Sequence, residues 1–259
     1  MNDAVAGQPP ASVRSGDSVR LTMWLLLIVY IFNFIDRQIV NILAEPIAKE
    51  LDLSDTQIGL MTGIAFALFY TVLGLPIARI ADRPTTHRGR MIAVALALWS
   101  GMTAICGMAT TYAQLLLARI GVGVGEAGCT PAAHSLIADK VPAERRASAL
   151  AFYSLGIPVG GLLGMLIGGV LADTVGWRGA FFWVGVPGLA LALIVLLLLK
   201  EPRRDGTSLN KGSSAPSMAT WDALKSIFSS RAFILLLAAG SSASFLSYGK
   251  STWTTIFFQ

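Results

Sequence analysis

Charged residues are scarce in this sequence, and that scarcity excludes an ordinary water-soluble enzyme. Only 14% of its 259 residues are charged, against roughly 25% in a soluble globular domain, and 54% are hydrophobic. Cysteine is also rare. Cys106 and Cys129 both lie in apolar segments, where a thiol usually packs as a small core residue, so the sequence indicates no disulfide framework.

Motifs for catalysis and for cofactor binding are missing as well. The apolar segments contain no HExxH motif, no cluster with metal-ligand spacing and no Ser or Cys beside a basic His. Residues 123–128 match the dinucleotide pattern G-x-G-x-x-G, but no strand precedes them, so we reject that interpretation. We therefore expect a protein that is not an enzyme and that needs no cofactor or metal.

What the sequence does contain is a series of long apolar segments. Four charge-free runs, at 56–78, 91–118, 147–172 and 179–199, each reach the roughly 20 residues that a helix needs to cross a bilayer. The pattern predicts an all-α polytopic membrane protein with a disordered cytoplasmic tail at 1–20. Its predicted spans are 21–43, 56–78, 90–110, 112–138, 147–171, 179–199 and 231–258.

The predicted spans form a six-helix bundle at 21–199 and a seventh helix at 231–259, joined by a cytoplasmic linker at 200–230. Within the linker, Trp221, Leu224, Ile227 and Phe228 recur at three- and four-residue spacing. This pattern is typical of a short helix lying in the membrane interface, and it also fits an exposed linker helix. Both interpretations stay open.

Basic residues are concentrated in the segments on one side of the predicted membrane. With the N-terminus in the cytoplasm, fifteen of the twenty Lys and Arg lie in cytoplasmic segments, and only Lys49 and Arg178 lie outside. The positive-inside rule therefore places the N-terminus in the cytoplasm. This distribution explains the net charge of +5 without a nucleic-acid partner. We expect an integral protein of a bacterial inner membrane.

Four ionisable residues lie inside the predicted spans, namely Asp36, Arg37, Arg119 and Glu126. Each costs about 2.5 to 3.5 kcal/mol at mid-bilayer, so each needs a partner or a water-filled cavity. A rise of 1.5 Å per residue puts Asp36 and Arg119 at one depth, as a functional charge pair or a purely structural one. Arg37 either joins them or extends outward to the interface.

Glu126 lies two helical turns after Arg119, on the same face of the fourth span. Its own helix supplies no cation one turn away, so we expect burial to favour the neutral carboxyl. Glu126 is therefore the first candidate for reversible protonation, with Asp36 and Arg119 as the pair that senses its state.

The loop after the second span resembles a signature of the major facilitator superfamily, Gly-x-x-x-Asp-Arg-x-Gly-Arg-Arg. Residues 74–90 depart from it at Ala78 and by extra residues before Arg88. The resemblance implies a conformational latch formed by Asp82, Arg83, Arg88 and Arg90. Arg119 followed by Gly121, Gly123 and Gly125 is similar to the fourth-helix signature of the same superfamily.

At finer grain, the stretches 33–38, 55–60, 65–70, 125–128 and 135–139 resemble the Spinster-like branch of that superfamily. The resemblance implies the major facilitator fold, built from inverted three-helix repeats, in a proton-coupled alternating-access transporter of lysolipid-like or sphingolipid-like amphiphiles. By the same resemblance, Asp36 and Glu126 correspond to the two functional carboxylates of the Spinster-like branch, on the first and fourth helices. Since the superfamily has twelve helices, we expect a missing C-terminal half of the same fold as a partner, alongside membrane lipids, protons and the substrate.

Aromatic and polar side chains predict where the substrate binds. If they face inward, the aromatics of spans one, two and five give an apolar cavity, although such rings also pack between helices. The seventh span is rich in Ser and Thr, and its Lys250 either meets an anionic head group or extends to the outer interface. The predicted cavity residues are Asn33, Arg37, Phe66, Tyr70, Tyr153 and Lys250.

Glycine recurs every four residues in the fifth span, at Gly156, Gly160, Gly164 and Gly168. This spacing predicts close helix packing. Two rivals to the lipid transporter remain at this point: a transporter of small organic anions, and a membrane scaffold in which the buried charges are structural.

Overall fold

The computed structural model describes residues 15–204, residue 208 and residues 225–257, and this part of the chain is all-α, as the sequence predicts. The principal helices are α1 (Ser15–Leu51), α2 (Asp55–Gly59), α3 (Ala65–Asp82), α4 (Arg88–Cys106), α5 (Tyr112–Glu126), α6 (Cys129–Lys140), α7 (Arg146–Ser154), α8 (Gly156–Leu198) and α9 (Arg231–Phe257). A π-helical turn (Leu60–Ile64) joins α2 to α3, and a short 3₁₀ helix (Ala143–Arg145) precedes α7.

Four helical stretches of the described chain are long and apolar enough to cross a membrane, at Val19–Leu51, Asp55–Asp82, Arg88–Cys106 and Ala143–Leu198. The last contains Gly176, whose positive φ of 70° breaks the helix and suits only glycine well, so it makes two crossings. Helices α5 and α6, separated at residues 127–128, together make one more. The helices thus cover the six predicted spans of the bundle, and α9 covers the seventh.

Glycines set the closest contacts between these helices. The face of α8 that carries the four-residue glycine repeat lies against α1: a Cβ at Gly160 would be 2.6 Å from the Ile31 carbonyl oxygen. On the other side of the Gly176 break, a Cβ at Gly185 would be 2.6 Å from the Ser100 carbonyl oxygen of α4. Helix α8 therefore packs against both α1 and α4, and no larger side chain fits at these positions.

The outer surface of the bundle is apolar. Leu162, Leu166, Leu193 and Leu197 of α8 are all more than half exposed, as expected for side chains that face lipid. The described side chains of α9 are also exposed, including Lys250. Of the predicted linker helix, Trp221 and Leu224 lie outside the described residues, whereas Ile227 and Phe228 lie in an exposed helical turn at 225–228.

Candidate functional site

The buried charges meet because three glycines let α5 approach its neighbours. A Cβ at Gly125 would be 2.7 Å from the Trp99 backbone nitrogen of α4, and a Cβ at Gly123 would be 3.0 Å from the Phe66 carbonyl oxygen of α3. A Cβ at Gly121 would overlap the side chain of Met102 of α4. This packing buries Arg119 and Glu126, which are 2% and 1% exposed.

Asp36 and Arg119 lie together in the bundle interior, as their common depth predicts. Their charged atoms, Asp36 Oδ2 and Arg119 Nη1, are 3.8 Å apart, which is an ion pair but too long for a hydrogen bond. Thr103 of α4 donates a 2.7 Å hydrogen bond to the other carboxylate oxygen of Asp36. Among the described residues, Arg119 Nε and Nη1 have no hydrogen-bond acceptor.

Arg37 pairs with Glu126, a partner that the spacing within the fourth span could not reveal. Arg37 Nε donates a 2.7 Å hydrogen bond to Glu126 Oε2, and the Glu126 side chain is fully buried. The cation comes from α1 rather than from the helix of Glu126 itself. Arg37 therefore points into the bundle, where its guanidinium lies beside the Glu126 carboxyl group.

Three aromatic rings surround the Arg37 guanidinium. Its central carbon lies 5.3 Å from the ring centre of Phe34, 4.9 Å from that of Phe66 and 4.8 Å from that of Tyr70, all within cation–π range. Phe66 and Tyr70 also stack on each other with ring centres 5.6 Å apart. The predicted cavity residues Arg37, Phe66 and Tyr70 are thus one contiguous group.

The two ion pairs form one network, because the carboxyl groups of Asp36 and Glu126 are also close neighbours. In the described chain, Asp36 Oδ2 and Glu126 Oε1 each lack a hydrogen-bond donor. Two carboxylates and two guanidiniums are therefore buried together without all their hydrogen bonds, which is a costly arrangement.

The remaining predicted cavity residues are placed differently. Asn33 is buried in α1. Tyr153 is buried too, stacked on Tyr30 with ring centres 4.2 Å apart and in edge contact with His134, as a packing residue would be. Lys250 is exposed on α9, and it has no ion pair with any described carboxylate.

A second charge cluster lies at the end of the bundle formed by the α3–α4 loop. Arg88 is fully buried and makes ion pairs with Asp139 of α6, at 2.8 Å, and with Glu201 just after α8. It also donates to the Ser135 carbonyl oxygen at 2.8 Å. Arg203 donates to Asp139 at 2.7 Å. We call Arg88, Asp139, Glu201 and Arg203 the loop-end cluster.

The sequence interpretation missed Asp139, Glu201 and Arg203. Burial raises the pKa of Asp139 and of Glu201, but hydrogen bonds and charges from Arg88 and Arg203 outweigh it and hold both pKa values below their usual range. Both carboxyls are therefore ionised at neutral pH. One signal was present: Glu201 closely follows a long apolar run, where its carboxylate reaches the start of α4.

The predicted latch residues divide between surface and interior. The side chains of Asp82, Arg83 and Arg90 are exposed. Arg88 lies inside the bundle, where its partners are Asp139 and Glu201. In this conformation Arg88 thus holds α4, α6 and the end of α8 together, and its guanidinium is not at the surface.

Fold and site together define a polytopic helical membrane protein with a charge network buried between its first and fourth crossings. The chain belongs to the Major Facilitator Superfamily, whose sequence model matches residues 26–259. The likeness to Spinster proteins is confirmed as well.

One solved structure, a bacterial homolog of the human lysosomal transporter Spinster in an inward-facing, unoccupied conformation, shares 35% identity with the chain. The match has a TM-score of 0.80 and covers 94% of this chain and 56% of that one.

Curated relatives carry different descriptions. An MFS-type efflux pump of Mycolicibacterium smegmatis is 37% identical over 175 residues, which cover 68% of this chain and 40% of the relative. The sphingosine-1-phosphate transporter SPNS2 of Danio rerio is 25% identical over 227 residues, which cover 86% of this chain and 44% of the relative. The chain thus spans less than half the length of these two relatives.

Proposed function

We propose that the full-length protein containing this chain is a secondary active transporter of a lysolipid-like or sphingolipid-like amphiphile, coupled to protons and working by alternating access. The observation that carries this proposal is the buried network in which Arg37 pairs with Glu126 and Asp36 with Arg119. Membership of the superfamily supports it, and so does sphingosine-1-phosphate, the substrate for which the Danio rerio relative is named.

The proton acts at Glu126. When its carboxylate is protonated, the negative charge opposite Arg37 disappears, and a buried guanidinium without a counter-charge costs several kcal/mol. An anionic head group that approaches Arg37 then supplies the missing charge. Proton binding at Glu126 and anion binding at Arg37 therefore favour each other, which is the thermodynamic linkage that a coupled transporter needs.

The aromatic rings around Arg37 favour an amphiphile over a fully polar anion. Phe34, Phe66 and Tyr70 present apolar ring surface within 5.3 Å of the guanidinium carbon. A ligand with a phosphate and an acyl chain satisfies both the cation and the apolar wall. A small organic anion satisfies only the cation.

Asp82, with Arg83 and Arg90, is the proposed conformational latch. Its exposed carboxylate lies at the loop end of the bundle, where it can meet helix N-termini or cations of the C-terminal half of the fold. We place this end in the cytoplasm on the distribution of the basic residues, and the protein in a bacterial inner membrane on its likeness to bacterial relatives.

The proton role is tested with Glu126→Gln in the full-length protein, reconstituted in proteoliposomes under an imposed pH gradient. Gln keeps the shape of the side chain but cannot release a proton, so accumulation driven by the gradient should fall to the level without a gradient, while substrate exchange continues. Glu144→Gln, at an exposed carboxylate, is the matched control and should behave as wild type. Full gradient-driven accumulation by Glu126→Gln would place the proton site elsewhere.

The substrate class is tested in the same vesicles with two labelled probes, a lysophospholipid and a small monocarboxylate. Uptake of the lysophospholipid supports the amphiphile proposal. Uptake of the monocarboxylate alone supports the transporter of small anions. Movement of neither probe, together with the absence of substrate-dependent proton flux, favours the scaffold.

A further inference from the structure

A pocket separate from the buried network lies at the loop end of the bundle, between the start of α4 and the end of α8. Its volume is about 380 Å³, within the range of small-ligand sites. The pocket, which we call the basic pocket, is lined by His87, Arg90, Leu196, Leu197, Leu199, Lys200, Glu201 and Arg204.

Three cations of the basic pocket are available to a ligand. Arg90, Lys200 and Arg204 are exposed, and no carboxylate of the described chain lies within 4.0 Å of their charged nitrogens. Glu201 is the one acid in the lining, and its carboxylate oxygens already accept from Arg88. The pocket is therefore positive.

His87 adds a neutral hydrogen-bond donor to the lining of the basic pocket. Burial lowers the pKa of His87, the charge of Glu201 partly opposes it, and the charges of Arg90 and Arg204 add to it, so the imidazole is neutral at pH 7. Its Nδ1 accepts a 3.2 Å hydrogen bond from the Arg90 backbone nitrogen at the start of α4, which leaves the proton on Nε2. The N-terminal end of the 19-residue α4 adds its partial positive charge.

The apolar part of the lining identifies the kind of anion. Leu196 and Leu197 are 46% and 70% exposed, and they end the apolar outer face of α8 just before Lys200. A hydrophobic run that ends in a cation marks the depth of the lipid head groups. The cations thus lie at head-group depth, with leucines directly beneath them.

We propose that the basic pocket binds the phosphate group of an anionic phospholipid from the adjacent leaflet, with the acyl chains along Leu196 and Leu197. Such a lipid touches α4 and the residues after α8 at once, beside the loop-end cluster that joins the same elements. The site is independent of the transported substrate, because it opens outward to the leaflet and lies outside the network of Arg37 and Glu126.

The test measures phosphatidylglycerol binding to the detergent-solubilised full-length protein by native mass spectrometry, with phosphatidylcholine and inorganic phosphate as the other probes. The variant is Lys200→Gln with Arg204→Gln. The control, Arg79→Gln with Arg145→Gln, removes two exposed cations that do not line the pocket. Each cation near a lipid surface contributes a factor of about five in affinity. We therefore expect the pocket variant to bind its first phosphatidylglycerol about tenfold or more weakly than wild type, and the control variant to bind it as wild type does.

Three results would overturn the proposal. Equal affinity of the two double variants for phosphatidylglycerol would show that the pocket does not select the lipid. Equal affinity of the wild-type protein for phosphatidylcholine would remove the need for a net negative charge. Displacement of phosphatidylglycerol by an equimolar amount of inorganic phosphate would assign the site to free phosphate.

Discussion

Asp36 supplies the counter-charge for Arg119, an arginine that is buried in the bundle. Arg119 touches the face of Phe66 at 5.7 Å, and two of its nitrogens have no acceptor among the described residues. Its neighbour Glu126 is already engaged with Arg37. The stability of this region therefore depends on the charge of Asp36 more than on its size.

We expect Asp36→Asn to destabilise the full-length protein by about 3 to 5 kcal/mol, because an isosteric amide leaves the buried Arg119 charge uncompensated. Thermal unfolding in detergent measures the effect, with Asp173→Asn at an exposed position as the control. Adding Arg119→Gln to Asp36→Asn should recover part of the loss. If Asp36→Asn were as stable as Asp173→Asn, water or another group would have to solvate the Arg119 charge.

At this scale the sequence predicts which residues are special, but only part of how they pair. The cost of burying charge singles out Asp36, Arg119 and Glu126, and helical rise gives the common depth of the first two. The Arg37–Glu126 pair was left open, because it depends on the rotation of α1 against α5. Arg88 was assigned to the latch, and its buried contacts were missed because its partners Asp139 and Glu201 lie far away in the sequence.

Among the helices of the described chain, α1 and α8 lie in close backbone contact along several turns. The glycine face of α8 lies directly on the α1 backbone near Tyr30 and Ile31, and it continues past Gln38 to Ile42. Since α1 also carries Asp36 and Arg37, this contact fixes the height and rotation at which both charges enter the bundle. A disturbance of α8 thus reaches the charge network through α1.

Gly160→Leu should destabilise the protein by about 1 to 3 kcal/mol or more, because the new side chain would overlap the Ile31 carbonyl. The adjacent Gly161→Leu is a matched control, since a Cβ there has no neighbour within 4 Å. Thermal unfolding of the two variants separates crowding from helix propensity, which is the same at both sites. Equal melting temperatures would mean that α8 does not depend on this contact.

The sequence predicts the helices better than their irregularities. Charge-free runs are visible in composition, so the crossings lie near their predicted positions. The separation of α5 from α6 and the joining of α7 and α8 into one long stretch leave no signal in hydropathy, because each is a matter of a few backbone angles. The glycine repeat was informative, because glycine every four residues favours a helix only where another helix backbone packs closely against it.

On the scale of the whole molecule, the two ends of the bundle differ in chemistry. The loop end holds the loop-end cluster and the basic pocket. At the opposite end the exposed Glu50 accepts hydrogen bonds from Trp177, at 2.5 Å, and from Arg178. The orientation in which the basic end faces the cytoplasm stays a prediction of the positive-inside rule.

Single cysteines at Thr85 and Thr56 test that orientation. Both positions are exposed and lie at opposite ends of the bundle, and the native Cys106 and Cys129 are buried and should label slowly. In intact cells, a membrane-impermeant maleimide should modify Thr56→Cys and should reach Thr85→Cys only after the membrane is opened. The reverse pattern would invert the topology and move the basic pocket to the outer leaflet.

The wide π-helical turn Leu60–Ile64 has a consequence for the angular setting of everything that follows it. One residue more in a turn shifts the phase of the helix by about 100°. Phe66 and Tyr70, whose rings lie against Arg37, follow the end of that turn by two and six residues. A chain shorter by one residue there would keep its hydropathy and both rings, yet turn them away from the guanidinium. The length of a single turn thus determines which way this aromatic wall faces.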